Sequence, residues 1–220
     1  MDPIDRLPLT SDPAIHLHGS WARAWKGLGA HGEGEDVYGA LMARYGEAHR
    51  KYHTLQHLRE CLGWFEQVQG LAAKGAEVEA ALWFHDAIYD VTRSDNEERS
   101  AEWASSAALQ AGVAPEGAAR LHALVMVTRH TGVPVDADEQ LLVDIDLAIL
   151  GAGPARFAEY EHQIREEYGH VPDGLFKRKR RAILRSFLER PRIFSTPHFH
   201  QALEEIARAN LRRALGGRAI

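Results

Sequence analysis

Three short segments place ionisable groups where helices are otherwise apolar. The first, Tyr52-His53-Thr54-Leu55-Gln56-His57, opens a stretch whose Leu58, Leu62 and Phe65 mark a buried side. His53 and His57 lie one helical turn apart and so face the same way. The second, Ala80-Ala81-Leu82-Trp83-Phe84-His85-Asp86, runs an apolar helix straight into adjacent His and Asp. The third, Leu141-Leu142-Val143-Asp144-Ile145-Asp146-Leu147, sets two aspartates in another apolar helix. They point about 200° apart, so at most one of them shares the core face. A buried ionised carboxylate costs several kcal/mol unless it is paired or coordinated, so Asp86 and one of these aspartates need partners.

Each segment has a plain structural explanation when taken alone. A pair of histidines one turn apart serves surfaces and cores as readily as metals, and a lone His-Asp dipeptide is frequent. The order His, then His-Asp, then Asp, on three separate helices, is the informative coincidence. Two neutral imidazoles and two carboxylates suit one divalent transition ion, Mn²⁺, Fe²⁺, Co²⁺, Ni²⁺ or Zn²⁺, with Mg²⁺ as a further option. Four protein donors on an octahedral ion leave positions for water and a substrate oxygen. The 13 histidines of the chain are an unusual number, and position decides among them.

Helices must carry these groups to one place. From about residue 14 onward, apolar residues recur at three- and four-residue steps between short Gly, Pro or Asp breaks, and no stretch alternates as a strand does. The pattern predicts an all-α, single-domain bundle with helices near 14–28, 36–47, 54–70, 76–88, 95–111, 115–130, 138–150, 154–169, 173–190 and 198–215. Stops fall at Gly70, Gly112 and Gly151, and Asp95, with Glu98 three residues on, reads as an N-cap. Pro172, Pro191 and Pro197 punctuate the last third, and 27–35 reads as a flexible link. One domain over residues 1–220 is expected, its core spanning about 36–170 and the C-terminal helices of 173–215 packing on it.

Composition excludes several classes. With 45% hydrophobic and 26% charged residues the chain is an ordinary globule, and no apolar run approaches the roughly 18 to 20 residues that span a bilayer. The N-terminus lacks the basic and apolar segments of a secretion signal, and the single cysteine, Cys61, permits no internal disulfide, so a cytoplasmic location is expected. A net charge of -5 argues against broad nucleic-acid affinity. The run Lys177-Arg178-Lys179-Arg180-Arg181 shares an amphipathic helix with Phe176, Ile183, Leu184 and Phe187 and reads as a solvated face. The five tryptophans read as core.

With these motifs in order, the sequence resembles the HD superfamily of metal-dependent phosphohydrolases, and more closely the bacterial group of predicted metal-dependent HD phosphohydrolases. The likeness covers nearly the whole chain: Tyr52 to His57, Trp83-Phe84-His85-Asp86, Asn96-Glu97-Glu98-Arg99-Ser100-Ala101, Asp144 to Gly151, Ile164-Arg165-Glu166-Glu167-Tyr168 and Ala207-Arg208-Ala209-Asn210-Leu211. The first segment is also similar to the Tyr-His-Asn-x-x-His start of cyclic-nucleotide phosphodiesterases, where the second histidine binds metal and the first is the general acid. By motif position the resemblance implies His57, His85, Asp86 and Asp146 as ligands, with Asp146 favoured over Asp144. It also makes Asp86 part of the catalytic set and His53 the acid that protonates the leaving oxygen. The second-metal histidines of the phosphodiesterases have no clear match, which favours a mononuclear site, and His130 is the residue that would change this.

The resemblance implies hydrolysis of a phosphate ester, of a nucleotide or similar small molecule, by a metal-activated water. Arg50, Arg165 and Arg180 are candidates for gripping phosphate, although such arginines more often serve ordinary salt bridges. Asn96 and Glu97 are candidates to line the pocket or hold the ligand histidines, with Asn96 equally able simply to start a helix, and His130 is a candidate substrate contact. A hydratase or oxygenase reaction on the same scaffold and a non-catalytic nucleotide sensor are the alternatives. The intact H, HD, D set argues against the sensor. A homodimer is one assembly to test.

Overall fold

The computed structural model describes residues 13–216, so the N-terminal segment in which a secretion signal would lie is outside the described residues, as are 217–220. Ten α-helices follow one another: α1 (Pro13–Gly27), α2 (Glu35–Tyr45), α3 (Leu55–Val68), α4 (Gly75–Phe84), α5 (Asn96–Gln110), α6 (Pro115–Met126), α7 (Ala137–Asp146), α8 (Pro154–Glu167), α9 (Asp173–Glu189) and α10 (Pro197–Ala214). Among the described residues there is no strand, and the expected all-α class stands. Among the described residues no helix is long and apolar enough to cross a membrane.

Helix α4 is the axis of the fold because its second half has no polar face. Val78 to Phe84 are all buried, and the helix packs against α1, α3, α5, α6 and α7. The one charge in that stretch, Glu79, accepts hydrogen bonds from Ser20 Oγ at 2.7 Å and Arg23 Nε at 3.0 Å, as a buried carboxylate must. Ser20 Oγ also accepts from Trp83 Nε1 at 3.1 Å, and Trp21 stacks on Trp25 with ring centroids 4.8 Å apart. Helix α1 therefore belongs to the core, which begins earlier in the chain than the expected residue 36. Buried side chains from all ten helices join one cluster.

The expected helices are all present, but three end early, and the differences matter. The helix expected over 76–88 stops at Phe84, so His85 and Asp86 lie on a turn closed by Ala87 N–H donating to Phe84 O at 2.9 Å. The helix expected to reach residue 150 ends at Asp146 and tightens into a 3₁₀ turn, Leu147–Gly151. That expected over 115–130 tightens at Val127–Arg129, leaving His130 in the left-handed region with φ 54°. Asp95 sits at the N-cap position of α5, but its carboxylate bonds Arg93 and makes no cap bond. The 27–35 link is tied down by His31 N–H to Ala111 O at 2.7 Å and Trp21 Nε1 to Glu33 O at 3.1 Å.

The turn after α7 is clasped by α10. The buried Asn210 amide donates to Leu150 O at 3.0 Å and Ala152 O at 2.8 Å, and a Cβ on Gly151 would lie 2.6 Å from Leu203 Cβ. Gly151→Ala is therefore expected to force the two backbones apart and lower stability by about 1–3 kcal/mol in urea unfolding. An unchanged midpoint would show that the contact yields freely.

Candidate metal centre

Three helices converge on one point. Helix α3 brings His57, the end of α4 brings His85 and Asp86, and the end of α7 brings Asp146. The two imidazole Nε2 atoms approach to 3.0 Å. Asp86 Oδ2 lies 3.4 Å from His57 Nε2 and 3.1 Å from His85 Nε2; Asp146 Oδ1 lies 3.3 and 3.7 Å from the same two atoms. An ion with bonds of about 2.1 Å separates neighbouring donors by about 3.0 Å in an octahedron and about 3.4 Å in a tetrahedron, so these spacings fit a metal. The C-terminal ends of α4 and α7 add carbonyl dipoles that favour positive charge there. Asp144 turns away: it accepts from Ser195 N–H at 2.8 Å, Thr196 N–H at 2.7 Å and Thr196 Oγ1 at 2.7 Å, fastening the segment that leads into α10.

A further possible donor, of a different kind, stands beside these four. Cys61, one turn beyond His57 on α3, is buried with Sγ 3.7 Å from the His57 ring nitrogens, and donor atoms of His57, Cys61, His85 and Asp146 all lie within 4.8 Å of one another. The cysteine had drawn notice only as a residue without a disulfide partner. The His57-x-x-x-Cys61 spacing was the available signal.

The electrostatics are those of a cation site. Burial pulls the His57 and His85 imidazoles towards neutrality, but their surroundings outweigh it. Cys61, Tyr52 and both aspartates raise the His57 pKa well above its ordinary value, and Asp86 and Asp146 raise that of His85. Burial would push the two carboxyls up, yet the histidines hold Asp86 well below the usual range and Asp146 below it too. Second contacts fix the geometry. His85 Nδ1–H donates to Leu82 O at 2.7 Å, which turns Nε2 towards the centre, and His130 Nε2–H donates to Asp146 Oδ2 at 3.0 Å.

Asp86 and Asp146 form part of the floor of a cleft of about 640 Å³, a size within the roughly 300–1,000 Å³ of small-molecule sites. His53 stands beside them. Its Nδ1–H donates to Glu167 Oε2 at 2.8 Å, its ring stacks on Tyr89 at 4.2 Å, and Nε2 is the nitrogen left for the cleft. Glu167, at the end of α8, also accepts from the backbone N–H groups of Lys51, Tyr52 and His53 at 2.8 to 2.9 Å and from Tyr89 Oη at 2.9 Å. Burial raises its pKa, but these bonds, led by His53, bring it down to about 2.

The residues expected to bind substrate divide. Glu97, His130 and Arg180 line the cleft. Burial, with Asp86 nearby, raises the Glu97 pKa. The Arg180 guanidinium lies 4.9 Å over the Tyr160 ring and is paired with Glu161. Arg50 does not line the cleft: its side chain is 0% exposed and donates to the carbonyls of His53 at 3.2 Å, Asp86 at 2.6 Å and Ala87 at 3.1 Å. Nor does Arg165, which ties the turn between α8 and α9 through Tyr168 O at 2.7 Å and Asp173 at 2.6 Å. Asn96 also lies outside the lining; it starts α5, and its amide closes the loop after Asp86 on the backbone of Asp90. Conversely, Lys179 and Arg180 of the basic run, expected to be solvated, face the cleft together with Phe176, Ile183 and Phe187.

No protein-family profile, no curated protein and no solved structure matches the chain. Fold and site together define an all-α protein with a buried His/Cys/Asp cluster able to hold a metal ion.

Asp146→Ala is expected to abolish tight binding of Co²⁺ or Zn²⁺ in calorimetric titration. Asp144→Ala is expected to keep metal while losing about 1–3 kcal/mol of stability, because Ser195 and Thr196 lose their acceptor. Equal metal affinity in the two variants would refute this assignment of the aspartates. For Glu167 the folded pKa lies below the unfolded one, so its contribution is full above about pH 4.3 and is lost as pH falls through about 2. Glu167→Gln is expected to lower the thermal midpoint by a constant amount between about pH 8 and 5, and by progressively less in acid. A gap that widens in acid would show that the carboxylate is not held down.

Proposed function

We propose that the chain is a metal-dependent phosphohydrolase of the HD type, acting on a phosphate ester of about nucleotide size. One observation carries this reading: a ring of two imidazoles and two carboxylates opens onto a cleft that also presents His53. Asp86, Asp146 and Glu97 would repel an anionic substrate from that floor. His57, His85, Asp86 and Asp146 would hold a divalent cation, whose charge would offset that of the two aspartates and which would supply Lewis acidity towards a phosphoryl oxygen and a water of lowered pKa.

The remaining work falls to the chain's own side chains. His53, its Nδ1–H fixed on Glu167, offers Nε2 for moving a proton to the leaving oxygen. Lys179 and Arg180 bring positive charge to the α9 side of the cleft, and Arg180, already paired with Glu161, contributes less of it. Tyr160, Tyr168, Phe176 and Phe187 make a wall on which a base or other flat apolar group can lie.

Release of phosphate or p-nitrophenol from a panel of nucleotides and generic esters, with Mn²⁺, Co²⁺ or Ni²⁺ added, tests the reading. His85→Ala and Asp86→Ala are expected to lose metal and turnover together. His53→Ala is expected to keep its metal and lose about 10²–10⁴-fold in kcat. Full turnover in a metal-free Asp86→Ala protein would sink the proposal.

A further inference from the structure

The candidate acid and a run of aromatic rings stand on the same side of the cleft. His53, whose Nε2 is left for the leaving oxygen, stacks on Tyr89 with ring centroids 4.2 Å apart. Glu167 holds both His53 Nδ1 and the Tyr89 hydroxyl, and the next residue, Tyr168, carries the band onward to His170 at 6.3 Å and Phe176 at 6.2 Å. Tyr89, Tyr168, His170 and Phe176 all line the cleft. Arg165, outside the lining, lies 4.7 Å over the Phe176 ring and backs it, which leaves the other face of that ring for the cleft. A group that departs with the oxygen protonated by His53 therefore meets aromatic rings.

Charge on this side is sparse. Among the described residues, Lys179 and Arg180 are the lysine and arginine that line the cleft. Arg180 is already paired with Glu161, whereas Lys179, one turn on from Phe176, is exposed and has no carboxylate partner among the described residues. A leaving group that is itself a phosphate or pyrophosphate would set several negative charges against aromatic faces, whose own potential is negative, with one lysine to offset them. A flat, uncharged alcohol meets no such repulsion and gains stacking.

We propose that the substrate is a phosphate monoester of a flat, uncharged alcohol such as a nucleoside, and that Phe176 is the residue that selects it. The inference rests on the phosphohydrolase reading. Water attacks phosphorus, the bond from phosphorus to the ester oxygen breaks, that oxygen takes a proton from His53, and the neutral alcohol and inorganic phosphate depart. A diphosphate or triphosphate attacked at its terminal phosphorus expels a charged group and is disfavoured.

Two measurements separate recognition of the leaving group from hydrolysis. Calorimetric titration of the metal-stripped full chain with adenosine, guanosine, cytidine and uridine is expected to show binding of at least one, weakened about tenfold or more in Phe176→Ala, and no binding of ribose. With Mn²⁺, Co²⁺ or Ni²⁺ added, the 5′-monophosphate of that nucleoside is expected to be cleaved with kcat/KM about tenfold or more above ribose 5-phosphate, which has the same scissile bond, and above the 5′-diphosphate. Phe176→Ala should shrink the preference over ribose 5-phosphate to within about threefold. Equal cleavage of the monophosphate and ribose 5-phosphate, or faster cleavage of the diphosphate, overturns the inference and leaves the phosphohydrolase standing. No phosphate release from any ester overturns the phosphohydrolase reading, and the titrations then decide the role of Phe176 alone: no nucleoside bound, or binding unaffected by Phe176→Ala, overturns that as well. If Phe176→Ala does not fold, the preferences of the native protein decide.

Discussion

Two imidazoles whose Nε2 atoms lie 3.0 Å apart, each within 3.7 Å of two carboxylates and with little access to water, are the constraint round which this molecule is arranged. Bringing four such groups out of solvent costs several kcal/mol apiece unless charge is balanced inside the cluster. Two imidazolium ions against two carboxylates achieve that balance. One divalent cation with the imidazoles neutral achieves it equally, so exchanging two protons for one such ion leaves the net charge of the buried ring unchanged. A fold built to tolerate one state is thereby built to tolerate the other.

Two further buried charges keep the ring in place, and each acts mainly on backbone. Arg50 spans the His53 turn and the turn after α4 by donating to three carbonyls, so the segments that carry His53, His57, His85 and Asp86 are fixed to each other. Glu167 does the reverse from α8, accepting three consecutive N–H groups at Lys51, Tyr52 and His53 while orienting the His53 ring. One cation and one anion thus satisfy opposite ends of the same irregular stretch. That stretch lacks the repeating hydrogen bonds of a helix and would otherwise leave buried polar groups unpaired.

The fold was largely legible because helical periodicity is local: α3 shows its stripe in Leu58, Leu62 and Phe65, and α4 shows its burial in an unbroken apolar run. Three segments that set ionisable groups in apolar helices were also legible, whereas the choice of His57 over His53 and of Asp146 over Asp144 came from the family resemblance and not from the residues alone. What a sequence does not display is where a helix tightens or stops, and here His85 and Asp146 lie at such ends, where the expected helices ran on. Arginine looks the same whether it grips a ligand or three carbonyls, so the sequence left both roles open for Arg50, whose guanidinium is engaged by backbone. Glu167 pairs with a histidine 114 positions away, and no local pattern announces that. The basic run on α9 was read as solvated because a helical wheel separates charged from apolar faces, but it has no term for a cleft that meets the border between them.

Helix α9 has one fully buried side chain, Leu184; Phe176, Ile183 and Phe187 are shared between the cleft and the rest of the molecule. The donors of the floor all come from α3, α4 and α7, which form the interior. Floor and wall are therefore governed by different demands. Exchanging the cleft-facing residues of α9 disturbs few interior contacts, so ligand preference can drift between related chains while the floor is inherited intact. Such a division of labour lets a lineage diversify what it recognises without rebuilding the part of the protein that is hardest to assemble.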